Sequence, residues 1–148
     1  MALPYDQALS GSLKLLLQHF PSYVNVKLNA QNYMFWKKQF YSFLKACKLI
    51  DHITGKSSRP NPVIHNPDGT FHANPDYIAW EDTDDFLKSC LYSSVISSIF
   101  THIHNLSTAM AIWEAIEKRF QSSSRAMIHQ LRHRLQSRLS PYKLTLMR

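Results

Sequence analysis

Glycine is scarce in this chain, with three residues in a length of 148. Glycine supplies the left-handed turns of β-sandwiches and the close backbone approach of phosphate-binding loops. Its scarcity therefore argues against a turn-rich β-sandwich and against a glycine-cradled phosphate site. Hydrophobic residues, in contrast, make up 45% of the sequence, which is enough to form the core of one domain of ordinary size.

Cysteine is also scarce, because the sequence contains only Cys47 and Cys90. The two are widely separated, do not form a C-x-x-C pair, and follow no recognisable secretory signal. These observations argue against a disulfide framework and against a zinc knuckle. Each cysteine lies in an apolar, helix-like stretch, so we interpret both as small buried hydrophobes.

Charged residues are absent from residues 89–113, a 25-residue run that could be mistaken for a membrane span. Eleven of its residues are Ser, Thr, Asn or His, and polar groups are costly in hydrocarbon. We therefore interpret the run as two packed helices and a turn. The expectation is a soluble, cytoplasmic protein with no membrane contact.

Acidic residues are absent after Glu117, whereas eight of the 17 Lys and Arg residues lie between Lys118 and Arg148. Five of the ten acids lie instead between Asp76 and Asp85. The basic C-terminal part indicates a weak contact with a polyanion such as RNA, and the alternative is a solvated helix face. The candidate nucleic-acid residues are Arg125, Arg132, Arg134 and Arg138.

Apolar residues recur at the 3.6-residue period in several segments and predict an all-α fold of about five helices. The first runs from about Asn32 to Leu49 and ends before Gly55, with the Asn32 side chain predicted to accept an N–H of the first turn. The second is predicted to begin at Asn74 and Pro75, because Asn caps helices and Pro suits the first helical position. A short third helix covers Val95 to His102.

The last two predicted helices are separated by a break at Ser122–Ser124. The fourth runs from about Ala109 to Phe120 and is capped by Ser107 or Thr108. The fifth ends at Pro141, and the residues predicted to face inward from it are Met127, Ile128, Leu131 and Leu135.

The remaining segments have no useful period. Residues 1–24 are predicted to be a flexible lead-in, with a short helix near Leu13–His19 that Pro21 ends. Residues 55–74 contain three Pro and two Gly and predict one long, mobile loop without helix or strand. The domain is accordingly expected at residues 25–139, followed by a truncated tail at 140–148.

Asp84 interrupts the apolar stripe of the second helix, which carries Trp80 and Leu87. An unpaired buried carboxylate is costly, so we expect Asp84 to accept a backbone N–H or to pair with Lys or Arg. The three tryptophans each lie on an apolar helical face, and we interpret them as core residues rather than base-stacking platforms. One buried cluster is predicted to contain Trp36, Phe40, Trp80, Leu87, Trp113 and Phe120.

No group of residues has the pattern of a catalytic or metal site. His129 and His133 are four apart but lack a third ligand, and the acids of residues 81–85 lack the Gly and alternating oxygen ligands of a calcium loop. No Ser-His-Asp order or nucleophile elbow is present. We therefore expect no enzyme activity, no cofactor, no metal and no small-molecule substrate.

Three segments follow one another in a recognisable order. They are KLNAQNYMFWKKQFYSFLKACKLIDHITG from Lys27, NPDYIAWEDTDDFLKSCLYSSV after the loop, and STAMAIWEAIEKRFQSSSRAMIHQLRHRLQ from Ser107. In this order the segments resemble the N-terminal region of Copia-like retrotransposon Gag polyproteins. Together they cover roughly residues 25–137. The family motif residues carried over by this resemblance are Asn32, Tyr33, Trp36, Trp80, Asp84, Trp113, Glu114 and Phe120.

The resemblance implies a bundle like the N-terminal lobe of a capsid protein and a structural role in virus-like particles. The expected partners are copies of the chain or related Gag chains, with weak sequence-independent RNA binding as the alternative function. The chain departs from the family after the fifth helix, where it reads SRLSPYKLTLMR. The expectation is therefore a truncated or decayed Gag fragment without the rest of the capsid.

Overall fold

The fold is all-α, apart from one small hairpin. The computed structural model describes the backbone of residues 4–146 and the side-chain environment of residues 11–141. Six helices and two strands lie in the described range. They are α1 Pro4–Tyr23, α2 Tyr33–Ala46, α3 Ile50–Thr54, β1 Val63–His65, β2 Phe71–Ala73, α4 Pro75–Ser93, α5 Ser97–Ile103 and α6 Ala109–Leu146.

The chain divides into two compact units, one up to Ala115 and one from Ile116 onward. In the first unit, α1 packs against α4 and α2. The extended residue Leu28 pairs with the connection between α4 and α5. Its N–H donates to Ser94 O at 2.7 Å, and its carbonyl accepts from Ile96 N–H at 3.2 Å. The second unit consists of the remainder of α6.

An aromatic cluster forms the centre of the first unit. Trp36 is fully buried, and its ring centroid lies 5.2 Å from that of Phe40 and 5.6 Å from that of Trp113. Phe20 adds edge contacts at 5.5 Å to Phe40 and 5.0 Å to Phe43. Aromatic pairs in these geometries contribute about 0.5–1.5 kcal/mol each beyond the area they bury.

Helix α1 is longer than predicted, since it spans 20 residues and includes Pro21 in its last turn. Proline removes one backbone hydrogen bond there, but the neighbouring Phe20 is 3% exposed and packs on α2. The contact with the core therefore holds the helix through the proline. The expectation of a short helix ending before Pro21 is wrong.

The segment 55–74 contains a hairpin that the sequence did not predict. Val63 pairs with Ala73 and His65 with Phe71 in antiparallel register. The turn between the strands has Gly69 at φ +85°, and Asn66 N–H donates to Thr70 O at 2.8 Å. The expectation of a loop without strands is wrong for these six residues, and the mobility of the segment stays a prediction.

Helix α6 continues through both predicted breaks, without an interruption at Ser122–Ser124 or a stop at Pro141. Serine is a weak helix former, but it keeps its backbone N–H, so a run of three does not end a helix. Proline costs about 3 kcal/mol inside a helix without forbidding it. The predicted fourth and fifth helices are therefore one 38-residue helix.

The end of α2 places a lysine in a conformation that favours glycine. Lys48 has φ +58°, and the turn is closed by Leu49 N–H to Leu44 O at 2.9 Å and Lys48 N–H to Lys45 O at 3.1 Å. This hydrogen-bond pair is the Schellman helix end, whose left-handed position is usually glycine.

We expect Lys48→Gly to stabilise the protein by about 0.5–1 kcal/mol. Relief of left-handed strain, worth about 1–2 kcal/mol, is partly offset by the greater freedom of glycine in the unfolded chain. Lys48→Ala is the matched control, because it removes the same side chain and keeps the strain. Urea unfolding measures both, and equal stability of the Gly and Ala variants would contradict the prediction.

Both cysteines are free, and their burial differs. Cys90 is fully buried, and desolvation together with the nearby Cys47 raises the pKa of its thiol to about 12. Cys47 is half-buried, and burial raises the pKa of its thiol as well. At pH 8 only about one Cys90 side chain in 10⁴ is then the reactive thiolate.

We therefore expect iodoacetamide to label Cys47 well before Cys90 in the folded protein at pH 8. Peptide mass spectrometry over a time course measures the two rates. Labelling in denaturant is the control, where the two rates should become similar. Equal rates in the folded protein would show that Cys90 is not protected as the structure indicates.

Candidate functional site

The carboxylate of Asp84 lies at a buried junction of three helices. Asp84 is 4% exposed. Its Oδ1 lies 2.9 Å from His52 Nε2. The Ala109 N–H donates to both carboxylate oxygens, at 3.1 Å to Oδ1 and 3.3 Å to Oδ2. The prediction that Asp84 accepts a backbone N–H is confirmed, and its partner side chain is a histidine rather than Lys or Arg.

The same junction caps the start of α6. The first N–H groups of a helix have no partner within the helix. Asp84 accepts from Ala109, and Thr108 Oγ1 accepts from Ala111 N–H at 3.1 Å. The predicted cap at Thr108 is confirmed, and the negative charge of Asp84 lies where the helix dipole favours it.

Asn74 begins α4 as predicted. Its Oδ1 accepts the Asp76 N–H at 3.0 Å, and Pro75 occupies the first turn. Its Nδ2 also donates to Asn61 O at 2.8 Å, and its N–H donates to Pro62 O at 2.9 Å. Asn74 therefore joins α4 to the residues that precede the hairpin.

Trp80 lies apart from the Trp36 cluster and is half-buried. Its ring stacks on the His52 ring at 4.8 Å, and the Arg59 guanidinium lies 5.3 Å from it. Arg59 also donates to Tyr77 OH at 2.8 Å. The expectation of one cluster that contains all three tryptophans is therefore wrong for Trp80.

Asn32 occupies the predicted cap position of α2 but does not make the predicted capping bond. Its Oδ1 accepts the Asn29 N–H at 2.8 Å, and its Nδ2 donates to Lys27 O at 2.9 Å. The side chain thus orders the turn before α2 instead of the first turn of the helix. Tyr33 and Trp36 follow it into the core, at 5% and 0% exposed.

The other motif residues divide between the interior and the surface. Trp113 and Phe120 are buried, and Leu87 is fully buried. Glu114 is exposed. Apart from Glu114, the motif residues of the described chain are buried or half-buried, as expected of residues that hold a fold rather than a ligand.

The four candidate arginines, Arg125, Arg132, Arg134 and Arg138, are all exposed on α6. The apolar residues beside them are exposed too. The prediction that Met127, Ile128, Leu131 and Leu135 face inward is therefore wrong.

We call the exposed apolar residues of this helix the α6 stripe. They are Met127 (49% exposed), Ile128 (44%), Leu131 (52%), Leu135 (58%) and Leu139 (55%).

Sequence reasoning did not identify His52, which is part of the junction, or Arg59, which contacts the neighbouring Trp80. His52 lies in a five-residue helix too short to show a period, and the only signal for it was that Asp84 needed a partner. Arg59 lies in the segment interpreted as a loop, where no pattern links it to Trp80 or Tyr77. Both contacts join residues more than 15 positions apart, so no local pattern reports them.

Within residues 11–141, no group of three or more His, Cys, Asp or Glu side chains is arranged to hold a metal ion. His129 and His133 are both exposed on α6. No helix in the described part of the chain has the length and hydropathy needed to cross a membrane.

We expect Asp84→Ala to destabilise the protein by about 2–4 kcal/mol. The change leaves the Ala109 N–H and the His52 ring without their acceptor, and each unmatched buried group costs about 1–3 kcal/mol. Asp85→Ala is the matched control, because that carboxylate is the next residue and is exposed. Chemical denaturation measures both, and a loss for Asp84→Ala no larger than that for Asp85→Ala would rule out this role.

In a comparison with known protein families, residues 41–144 match the gag-polypeptide of LTR copia-type. The second and third resembling segments lie within that range, and Asn32, Tyr33 and Trp36 precede it. No curated protein and no solved structure matches the chain. The family match covers well over half of the sequence, and the chain belongs to the gag-polypeptide family of LTR copia-type retrotransposons.

Proposed function

We propose that the chain is a non-enzymatic structural domain that associates with copies of itself, or with related Gag chains, in the assembly of cytoplasmic virus-like particles. The observation that supports this function is the α6 stripe. Its five exposed apolar side chains recur at helical spacing along one face. Exposed apolar side chains grouped on one helix face mark interaction sites.

A surface helix normally buries its apolar face, since most helix stability in proteins comes from packing of that face. In the described range, the stripe residues are between 44% and 58% exposed. A second protein surface that covers them would therefore stabilise this part of α6. The exposure of these apolar side chains therefore supports association of α6 with another protein surface rather than a solvated helix face.

The buried polar groups support a non-enzymatic role. The one buried pair of ionisable side chains in the described chain is His52 and Asp84, at 7% and 4% exposed. Asp84 already accepts two hydrogen bonds, and Trp80 covers the His52 ring. His52 and Trp80 line a pocket of about 500 Å³, but the Nε2 of His52 is already occupied by Asp84.

Weak RNA binding is the second candidate function, because the four candidate arginines of α6 are all exposed. Guanidinium groups neutralise phosphates and release counterions, which needs no base-specific geometry. No aromatic residue lies among these arginines, so base stacking adds little.

We expect the purified, nuclease-treated protein to associate with increasing concentration in sedimentation velocity experiments. Leu131→Asn with Leu135→Asn should shift the protein toward monomer, since two apolar contacts of the α6 stripe are lost. Met34→Gln with Phe35→Gln is the matched control, because those side chains are exposed on α2, at 61% and 56%. A parent protein that stays monomeric at every concentration would refute self-association.

For RNA, we expect affinity to fall with salt at a slope of about −3 in log units, from about four phosphate contacts at about −0.7 each. Replacing Arg132, Arg134 and Arg138 with Gln should weaken binding and flatten the slope. Fluorescence anisotropy with a labelled single-stranded RNA measures both. A triple variant that binds like the parent at every salt concentration would remove RNA binding as a function of this helix.

A further inference from the structure

We propose that the α6 stripe of one copy docks into a groove between α1 and α4 of a second copy, which makes the contact between copies head-to-tail. The inference rests on the proposed self-association and names the two surfaces that meet. The groove has a volume of about 360 Å³, and we call it the α1–α4 groove. Its lining residues are Leu13, Lys14, Leu17, Asp82, Asp85, Phe86 and Ser89.

The charge pattern of α6 disfavours pairing of one stripe with another. With Ile128 and Leu135 at a positions and Leu131 at d of a heptad, Arg132 and Arg134 occupy the flanking e and g positions. These positions set partner choice in paired helices through opposite charges. No acid follows Glu117, so two stripes would bring arginines together with no carboxylate between them. A partner with an acidic flank fits better.

The α1–α4 groove supplies such a partner surface. Leu13, Leu17 and Phe86 give it an apolar floor, and Leu17 is 41% exposed. Asp82 and Asp85 lie on its α4 side, where the Asp85 side chain is 73% exposed although it pairs with Lys88 at 3.0 Å. Lys14 is the one cation of the lining.

The two helices also differ in charge as a whole. Helix α4 carries five carboxylates and one lysine, whereas residues 118–148 carry eight Lys and Arg and no acid. A basic amphipathic helix with leucines on its apolar face is the kind of ligand that an acidic, apolar groove accepts in helix-in-groove recognition. Complementary charge also suppresses wrong partners and sets the register.

Stripe and groove are different surfaces, so the contact is heterologous. Each bound copy keeps one unused stripe or one unused groove, and further copies can add until a ring closes or an open array grows. This mode of growth is the one expected of a structural protein that builds a shell from identical chains. A symmetric contact of two stripes would stop at a dimer.

Charge reversal on each surface tests the proposal. The first variant carries Arg132→Glu and Arg134→Glu, and the second carries Asp82→Lys and Asp85→Lys. We expect each variant alone to lose most of the association of the parent protein, because like charges then face each other. An equimolar mixture should regain it, because the acidic stripe of the first variant matches the basic groove of the second, and the unchanged stripe of the second matches the unchanged groove of the first.

Sedimentation velocity at low ionic strength, without RNA, measures the association, and circular dichroism confirms that each variant is folded. Lys118→Glu with Arg119→Glu is the matched control, because it makes the same charge change on α6 away from the stripe. If the groove variant associates like the parent, the stripe docks elsewhere and the inference fails, while self-association stands. No recovery in the mixture of two folded variants would also overturn it. A monomeric parent would instead refute the proposed function itself.

Discussion

The buried carboxylate of Asp84 is the interaction on which the first unit depends. It joins α4 to α3 through His52 and to the start of α6 through the Ala109 N–H. Burying a charge costs several kcal/mol unless hydrogen bonds offset it, and each hydrogen bond here comes from a different helix. The junction therefore determines where α6 begins. One turn later, Trp113 of α6 stacks on Trp36 at 5.6 Å, so a polar contact positions an aromatic one.

The most informative residues of the sequence were polar ones at positions where an apolar pattern begins or is interrupted. Asp84 was recognised because it interrupts an apolar stripe, and Asn74 and Thr108 because capping residues stand before helical periods. These signals are local, and the structure confirms all three. His52 carries no such signal, because its contact with Asp84 spans 32 positions. A sequence shows that a buried carboxylate needs a partner, but not which partner the fold brings to it.

Hydrophobic periodicity predicted which residues share a helix face, but not whether that face is buried. The spacing of Ile128, Leu131 and Leu135 correctly indicates that they share one helix face, but spacing does not show whether another surface covers that face. The serines before them were interpreted as a break, although serine only weakens a helix. The hairpin was missed for a related reason. Pro67, Asp68 and Gly69 form a good turn signal, but strands of three residues are too short to show alternation.

The two proposed ligands of α6 would use the same side chains. By helix geometry of about 100° per residue, Arg132 and Arg134 flank the α6 stripe on opposite sides. A guanidinium that meets a carboxylate of the α1–α4 groove cannot also neutralise a phosphate. RNA and a second copy would therefore compete for α6, and by linkage each would weaken the binding of the other by the same factor. Salt separates the two, because apolar contacts of the stripe persist when charges are screened, whereas phosphate contacts do not. Association that survives high salt would therefore come from the leucines of the stripe, and the arginines would then set its specificity.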